Sequence, residues 1–140
     1  MASEDCIFCK IASGVLPARK VLETDECVAF LDVAPLSPGH CLLIPKHHFG
    51  TFDQMPADVA GAVLSRLPGL GRAVAAATGA DGFNILLNNG KVAGQVVEHV
   101  HAHVIPRKEG DGLGYRWRPQ TLDDTTADGL CRRIEAELGG

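Results

Sequence analysis

Residues 99–105 read His-Val-His-Ala-His-Val-Ile, and no other stretch restricts the fold as tightly. Successive side chains of an extended strand point to opposite faces. The spacing therefore predicts a strand with His99, His101 and His103 on one face and Val100, Ala102 and Val104 on the other. The β-branched residues favour it, and Pro106 is expected to close it. Three adjacent imidazoles make poor packing material, because each ring has two nitrogens that need partners when buried. The same ring titrates near neutrality and serves as nucleophile, acid–base group or metal ligand. A solvated histidine-rich edge and a purification tag are the plainer readings, but a tag sits at a terminus and does not alternate with valine. One metal shared by all three is disfavoured. His99 and His103 would stand about 13 Å apart along a strand, against metal–nitrogen bonds of about 2.1 Å.

The 140 residues suit one domain with a real core, and 46% hydrophobic content suits a compact soluble fold. A net charge of −4 argues against an extended phosphate-backbone surface, so a nucleic-acid partner is not expected. A small phosphorylated ligand remains compatible with it. No signal peptide or membrane span is visible. Five cysteines, an odd number, do not read as a secreted disulfide framework. A cytoplasmic protein is expected.

Residues 19–24 and Cys27–Asp32 read as two strands joined by a turn at Thr24-Asp25, and His40–Ile44 as a third ended by Pro45. Val59, Val63, Leu67, Leu70 and Val74 recur at helical spacing. Pro68 removes a backbone donor from that pattern, which predicts a kink or break near Leu67. Gly79 suits its C-terminal end. Phe83–Leu87 reads as a fourth strand, Asn88-Asn89-Gly90 as a turn, and the histidine strand is the fifth. Leu130, Ile134 and Leu138 share a face of a last helix over Thr126–Leu138. Short connections imply an α+β fold with a five-stranded antiparallel sheet.

Cys6-Ile7-Phe8-Cys9 is a Cys-x-x-Cys pair. A redox pair would follow a buried strand, and nothing hydrophobic precedes Cys6. Zinc would need two further ligands, for which His47, His48 and His99 are candidates; two ordinary buried thiols are the plainer reading. Asn88–Gln95 is a small-residue loop leading into the histidine strand. Its glycines would let backbone amides approach an anion, although an ordinary hairpin loop has the same composition. Asp32 ends a strand, where a carboxylate accepts ribose hydroxyls or simply faces solvent. Neither GxGxxG nor GxxxxGK[ST] occurs.

These residues resemble the histidine-triad (HIT) family of nucleotide hydrolases and transferases. Its hallmark is His-φ-His-φ-His-φ-φ with φ apolar, and His99–Ile105 matches each position. The resemblance runs from Cys6-Ile7-Phe8-Cys9 through Ala29–Asp32, Pro38-Gly39-His40, Ile44–His48 and Gly94-Gln95 to Pro106-Arg107. It implies one HIT-like domain over 1–140, with about 111–140 a C-terminal extension. It also implies that His101 attacks the α-phosphorus, that His103 binds the α-phosphate and assists the leaving group, and that His40 orients His101 or relays a proton. Asn88, Gly94, Gln95 and Val96 resemble the phosphate contacts. Asp32 matches the ribose-binding acid, and Ile7, Phe8, Phe30 and Val33 the wall of the base pocket. Some bacterial-type members bind zinc through residues matching Cys6, Cys9, His48 and His99, which leaves His47 a bystander and suits structural metal.

This chain departs from the phosphoramidase-type branch in two places. Val96 stands where that branch carries serine, and Lys108–Pro119 lacks its Trp-Pro-Pro-Gly ending. Tyr115, Arg116, Trp117 and Arg118 mix rings and cations there, suited to a base or polyphosphate or to a solvated tail. The resemblance implies hydrolysis of purine nucleoside phosphoramidates or dinucleoside polyphosphates through a nucleotidyl-histidine, by a homodimer with adjoining sheets. A zinc-stabilised nucleotide-binding or adaptor module without turnover is the alternative. A DNA-end-processing member is disfavoured by the acidic balance.

Overall fold

The computed structural model describes residues 5–114 and 118–139. In chain order the elements are α1 (Ile7–Ala12), β1 (Lys20–Glu23), β2 (Cys27–Leu31), β3 (Cys41–Pro45), α2 (Ala57–Leu64), α3 (Leu67–Thr78), β4 (Gly82–Leu87), β5 (Ala102–Arg107) and α4 (Asp124–Gly139). The strands form one five-stranded sheet in the order β1-β2-β3-β5-β4, and every neighbouring pair is antiparallel. The α+β reading therefore holds. Tyr115, Arg116 and Trp117 lie outside the described residues, whereas Arg118 is described and exposed.

Alternation along the strands divides the interior in two. Cys27, Ala29, Cys41, Leu43, Ala102 and Val104 face one way, where α2 and α3 cover them with Val63, Leu67, Leu70 and Val74. Val28, Phe30, Leu42 and Ile44 face the other way and pack on Phe8, Cys9 and Ile11 of α1. Pro68 breaks the helical pattern as its chemistry requires. The helix stops at Leu64, turns through Ser65 and Arg66, and restarts with Pro68 in the first turn of α3, where a missing N–H costs nothing. Gly79 ends α3 in the left-handed conformation, φ +67°. Asp123 caps α4 by accepting from Thr126 N at 2.8 Å. No residue of α4 is buried.

The histidine run departs from the expectation of one continuous strand. Pairing begins only at Ala102, so His103 alone of the three lies within the ladder. Pro106 does not close the strand, which continues to Arg107. Before it the chain bends: His99 N donates to Val97 O at 2.9 Å and Val100 N to Phe49 O at 2.8 Å. These bonds take the place of ladder partners. Pro45 likewise ends within β3, since a proline still offers its carbonyl.

Candidate active site and metal cluster

The bend at His99 answers how one histidine of the run leaves its neighbours. His99 is fully buried, and its Nε2 lies 2.9 Å from Pro45 O. A carbonyl only accepts, so Nε2 carries the proton and Nδ1 keeps its lone pair. That lone pair faces Cys6 Sγ at 3.3 Å, Cys9 Sγ at 3.5 Å and His48 Nδ1 at 3.2 Å. Cys9 Sγ is also 3.3 Å from His48 Nδ1. Tetrahedral zinc with ordinary bond lengths would set two nitrogens about 3.3 Å apart and nitrogen about 3.6 Å from sulfur. The observed spacings fit that tetrahedron, and one lone pair cannot satisfy three such neighbours by hydrogen bonding alone. Burial holds His99 down at about 4, so the ring is neutral as a ligand must be. Burial also pushes the Cys6 thiol up, a cost that a bound cation would reverse. His47 is exposed and outside the cluster.

His101 has the reverse geometry. Its Nδ1 lies 2.7 Å from His99 O, so the proton sits on Nδ1 and Nε2 is left as a free lone pair. The ring is buried, edge-on to Phe8 at 5.1 Å between centroids and to His103 at 5.0 Å. His103 takes its proton assignment from further away. Leu36 N donates to His40 Nδ1 at 3.0 Å, which places the His40 proton on Nε2. His40 Nε2 then donates to His103 Nδ1 at 2.9 Å, leaving His103 with its proton on Nε2. His40 thus orients His103 rather than His101. Burial lowers His40, against the pull of Asp32. Burial, reinforced by the neighbouring His101 and His40, holds His103 at about 4. Both rings are neutral at pH 7. Asp32, His40 and His103 are close enough to hold a metal, but a cation on His40 Nε2 would force its proton onto Nδ1, against the Leu36 amide. His40 and His103 form a hydrogen-bonded pair with the Asp32 carboxylate beside it.

A groove of about 1330 Å³ runs past these rings. Its lining includes His40, His101 and His103 and nearly all the expected substrate contacts: Ile7, Phe8, Phe30, Asp32, Val33, Asn88, Gly94 and Val96. Gln95 is the exception. It is buried and its amide is committed to main chain, accepting from Gly90 N at 2.7 Å and donating to Gly50 O at 2.7 Å and Val97 O at 3.1 Å. Asp32 accepts from Ala34 N at 2.9 Å through one oxygen and stands 3.5 Å from His40 Nε2 through the other.

The groups that assign the protons are main-chain atoms: Pro45 O, His99 O and Leu36 N. Side-chain identity carries no signal for them. Ile11, Leu16, Pro17 and Arg19 extend the groove wall beyond the predicted set. Ile11 lies in α1, which is too short for periodicity to register, and Leu16, Pro17 and Arg19 follow it in irregular chain.

The HIT domain family model matches residues 13–110. The chain belongs to the histidine-triad family. Among curated HIT relatives, the adenylylsulfatase HINT3 of Arabidopsis thaliana is 48% identical over 118 residues, 84% of this chain and 58% of that protein. The chain thus spans just over half the length of that relative. The adenosine 5'-monophosphoramidase HNT1 of Candida albicans is 38% identical over 144 residues, covering 99% of this chain and 95% of that protein. Among solved HIT structures, SMU.412c of Streptococcus mutans superposes with a TM-score of 0.94 at 39% identity, covering 98% of this chain and 87% of that one. A zinc-bound histidine-triad protein of Mycobacterium smegmatis gives 0.75 at 36% identity, covering 96% of each.

Proposed function

We propose that this HIT protein is a nucleotidyl hydrolase that cleaves the α-phosphate linkage of purine nucleoside phosphoramidates or dinucleoside polyphosphates. The observation that carries the reading is the His101–His99 O hydrogen bond, which leaves Nε2 as an unprotonated nucleophile beside the groove. Nε2 attacks the α-phosphorus while the bond to the leaving nitrogen or oxygen breaks and the leaving group departs with that electron pair, a nitrogen taking up a solvent proton to leave as the amine. The phosphorylated ring is cationic, and its Nδ1–H bond to the carbonyl strengthens as the charge develops. Neutral His103 donates through Nε2 to the phosphoryl group, as a hydrogen-bond electrophile rather than a strong acid. Water then displaces His101 and releases the nucleoside monophosphate. Splitting the displacement in two lowers each barrier.

The base lies against Ile7, Phe8, Phe30 and Val33, the ribose near Asp32, and the phosphate near Asn88, Gly94 and Val96. Gln95 serves by shaping that loop. Support for the substrate class comes from the monophosphoramidase and adenylylsulfatase relatives. The Cys6, Cys9, His48 and His99 cluster holds structural zinc, supported by its spacing and by the zinc-bound mycobacterial neighbour. Zinc there would lock α1 to the bend at His99. No helix among the described residues is long and apolar enough to cross a membrane, and five cysteines, an odd number, fit a reducing cytoplasm better than a disulfide framework. Exposed Phe83 and Ile85 on the outer strand β4 favour a homodimer that continues the sheet there.

Rapid quenching after mixing with adenosine 5'-phosphoramidate or diadenosine tetraphosphate, followed by mass spectrometry, tests the reaction. An AMP adduct on His101 is expected. AMP binding with neither adduct nor release would make the chain a binding module instead.

A further inference from the structure

One short run of chain joins the four-ligand cluster to the loop 88–95. It begins at His48, whose Nδ1 faces the cluster. Phe49 O accepts from Val100 N at 2.8 Å, next to the second cluster histidine, His99. Gly50 O accepts from Gln95 Nε2 at 2.7 Å. Phe52 N donates to Asn89 Oδ1 at 2.7 Å. The segment is therefore tied to the cluster at one end and to the groove loop at the other. The loop's own bonds, Ala93 N to Gly90 O at 3.0 Å, Gly94 N to Lys91 O at 3.0 Å and Gln95 N to Gly90 O at 3.1 Å, close a single turn over Lys91–Ala93 and do not fix where that turn sits. Gly90 and Gly94 sit at φ +92° and +98°, a region only glycine enters freely, at maximal cost in chain entropy. Asn89 is exposed and does not line the groove, yet its carbonyl caps a backbone amide 37 residues away.

We infer that Asn89 and Gln95 are positioning residues: they pin the groove loop to the segment anchored by His48, so that a closed four-ligand cluster sets how firmly the loop holds a nucleotide. This rests on the groove being the nucleotide site. A tethered loop is ordered before the ligand arrives. An untethered one must be ordered at each binding event, and that conformational entropy is subtracted from affinity. The chemistry is insulated from the Asn89 and Gln95 tether, because His101 is fixed by His99 O and His103 by His40. Loss of the tether should therefore raise KM and leave kcat alone.

The test compares wild type, Asn89→Ala and Asn89→Asp for AMP affinity by calorimetry, phosphoramidate kinetics, metal content and amide exchange over 88–97. Asn89→Ala should weaken AMP binding and raise KM about fivefold, the worth of one hydrogen bond, with kcat and metal content unchanged. Exchange at the Gly90, Ala93, Gly94 and Gln95 amides should quicken. Asn89→Asp keeps the acceptor for Phe52 N and should restore all of these. Direct phosphate contact by residue 89 would instead make aspartate the worse variant, and that ordering overturns the inference. So does an alanine variant whose loop exchange matches wild type. Removing the metal from wild type should quicken the same amides, and an unchanged rate there breaks the link to the cluster. A wild type that neither binds AMP nor releases it from the phosphoramidate sinks the nucleotide reading, while the exchange comparison still decides the tether.

Discussion

On one side of the sheet Ala29, Leu43, Ala102 and Val104 vanish beneath α2 and α3. On the other, Phe30 and Leu42 share their surface with His101, His103 and the open groove. The same period-two alternation builds both faces, so strand pairing alone does not separate core from site. What separates them is the covering. Two helices carrying Val63, Leu67, Leu70 and Val74 seal the first face. The six-residue α1 covers only part of the second, where Phe8 and Ile11 supply apolar contact and the Cys6, Cys9, His48 and His99 cluster stands beside it. One face is closed by packing alone, and the other combines a smaller apolar cluster with a set of four candidate metal ligands.

The sharpest break in that comparison comes from the open face. His101→Ala should lower kcat/KM by about four to six orders of magnitude, as loss of a nucleophile does, while unfolding free energy and AMP affinity stay near wild type. Steady-state kinetics beside calorimetry checks both halves. Cys9→Ser comes next: metal content should fall to zero and stability by more than about 3 kcal/mol, read by metal analysis and urea unfolding. Leu43→Ala, on the sealed face, should cost about 2–5 kcal/mol through a cavity, with KM and metal content unchanged. A Leu43 variant that loses metal, or a Cys9 variant that keeps its stability, would erase the distinction between the faces.

The smallest effect is a pH dependence. His103 is held at about 4 in the folded chain against an ordinary 6.5, and His40 is lowered too. Below pH 6.5 the unfolded chain takes up protons that the folded chain refuses. Stability should therefore decline as pH falls from about 6.5 and level off near 4. Urea unfolding at intervals across that window checks it, and NMR titration of the His103 ring should show no protonation above pH 5.

Much of the sealed face was legible because each signal was local. The Val59–Val74 spacing, the Pro68 break and the Gly79 stop each follow from the residue that causes them. The open face was less so. The chemical residues His40, His101 and His103 stand out by type and do meet in space, as do the four cluster residues. Yet the alternation at 99–105 suggested one strand, and the bend that frees His99 is made by Val97, Phe49 and Val100 main-chain bonds that no residue type announces. Gln95 shows the opposite trap. Its polar amide suited a phosphate, but a buried amide beside unpaired backbone groups satisfies those first.

The protons of the triad are assigned by the path of the backbone, and this has an evolutionary corollary. Positions 36 and 45 owe these protons nothing but an amide hydrogen and a carbonyl oxygen, so side-chain changes there that keep the groove wall and the buried core leave the assignment intact. One exchange is different: proline at 36 would delete the hydrogen that fixes His40, freeing both rings of the pair to flip. Loss of function at position 36 would then arise through the backbone, at a residue whose side chain does no more than line the groove.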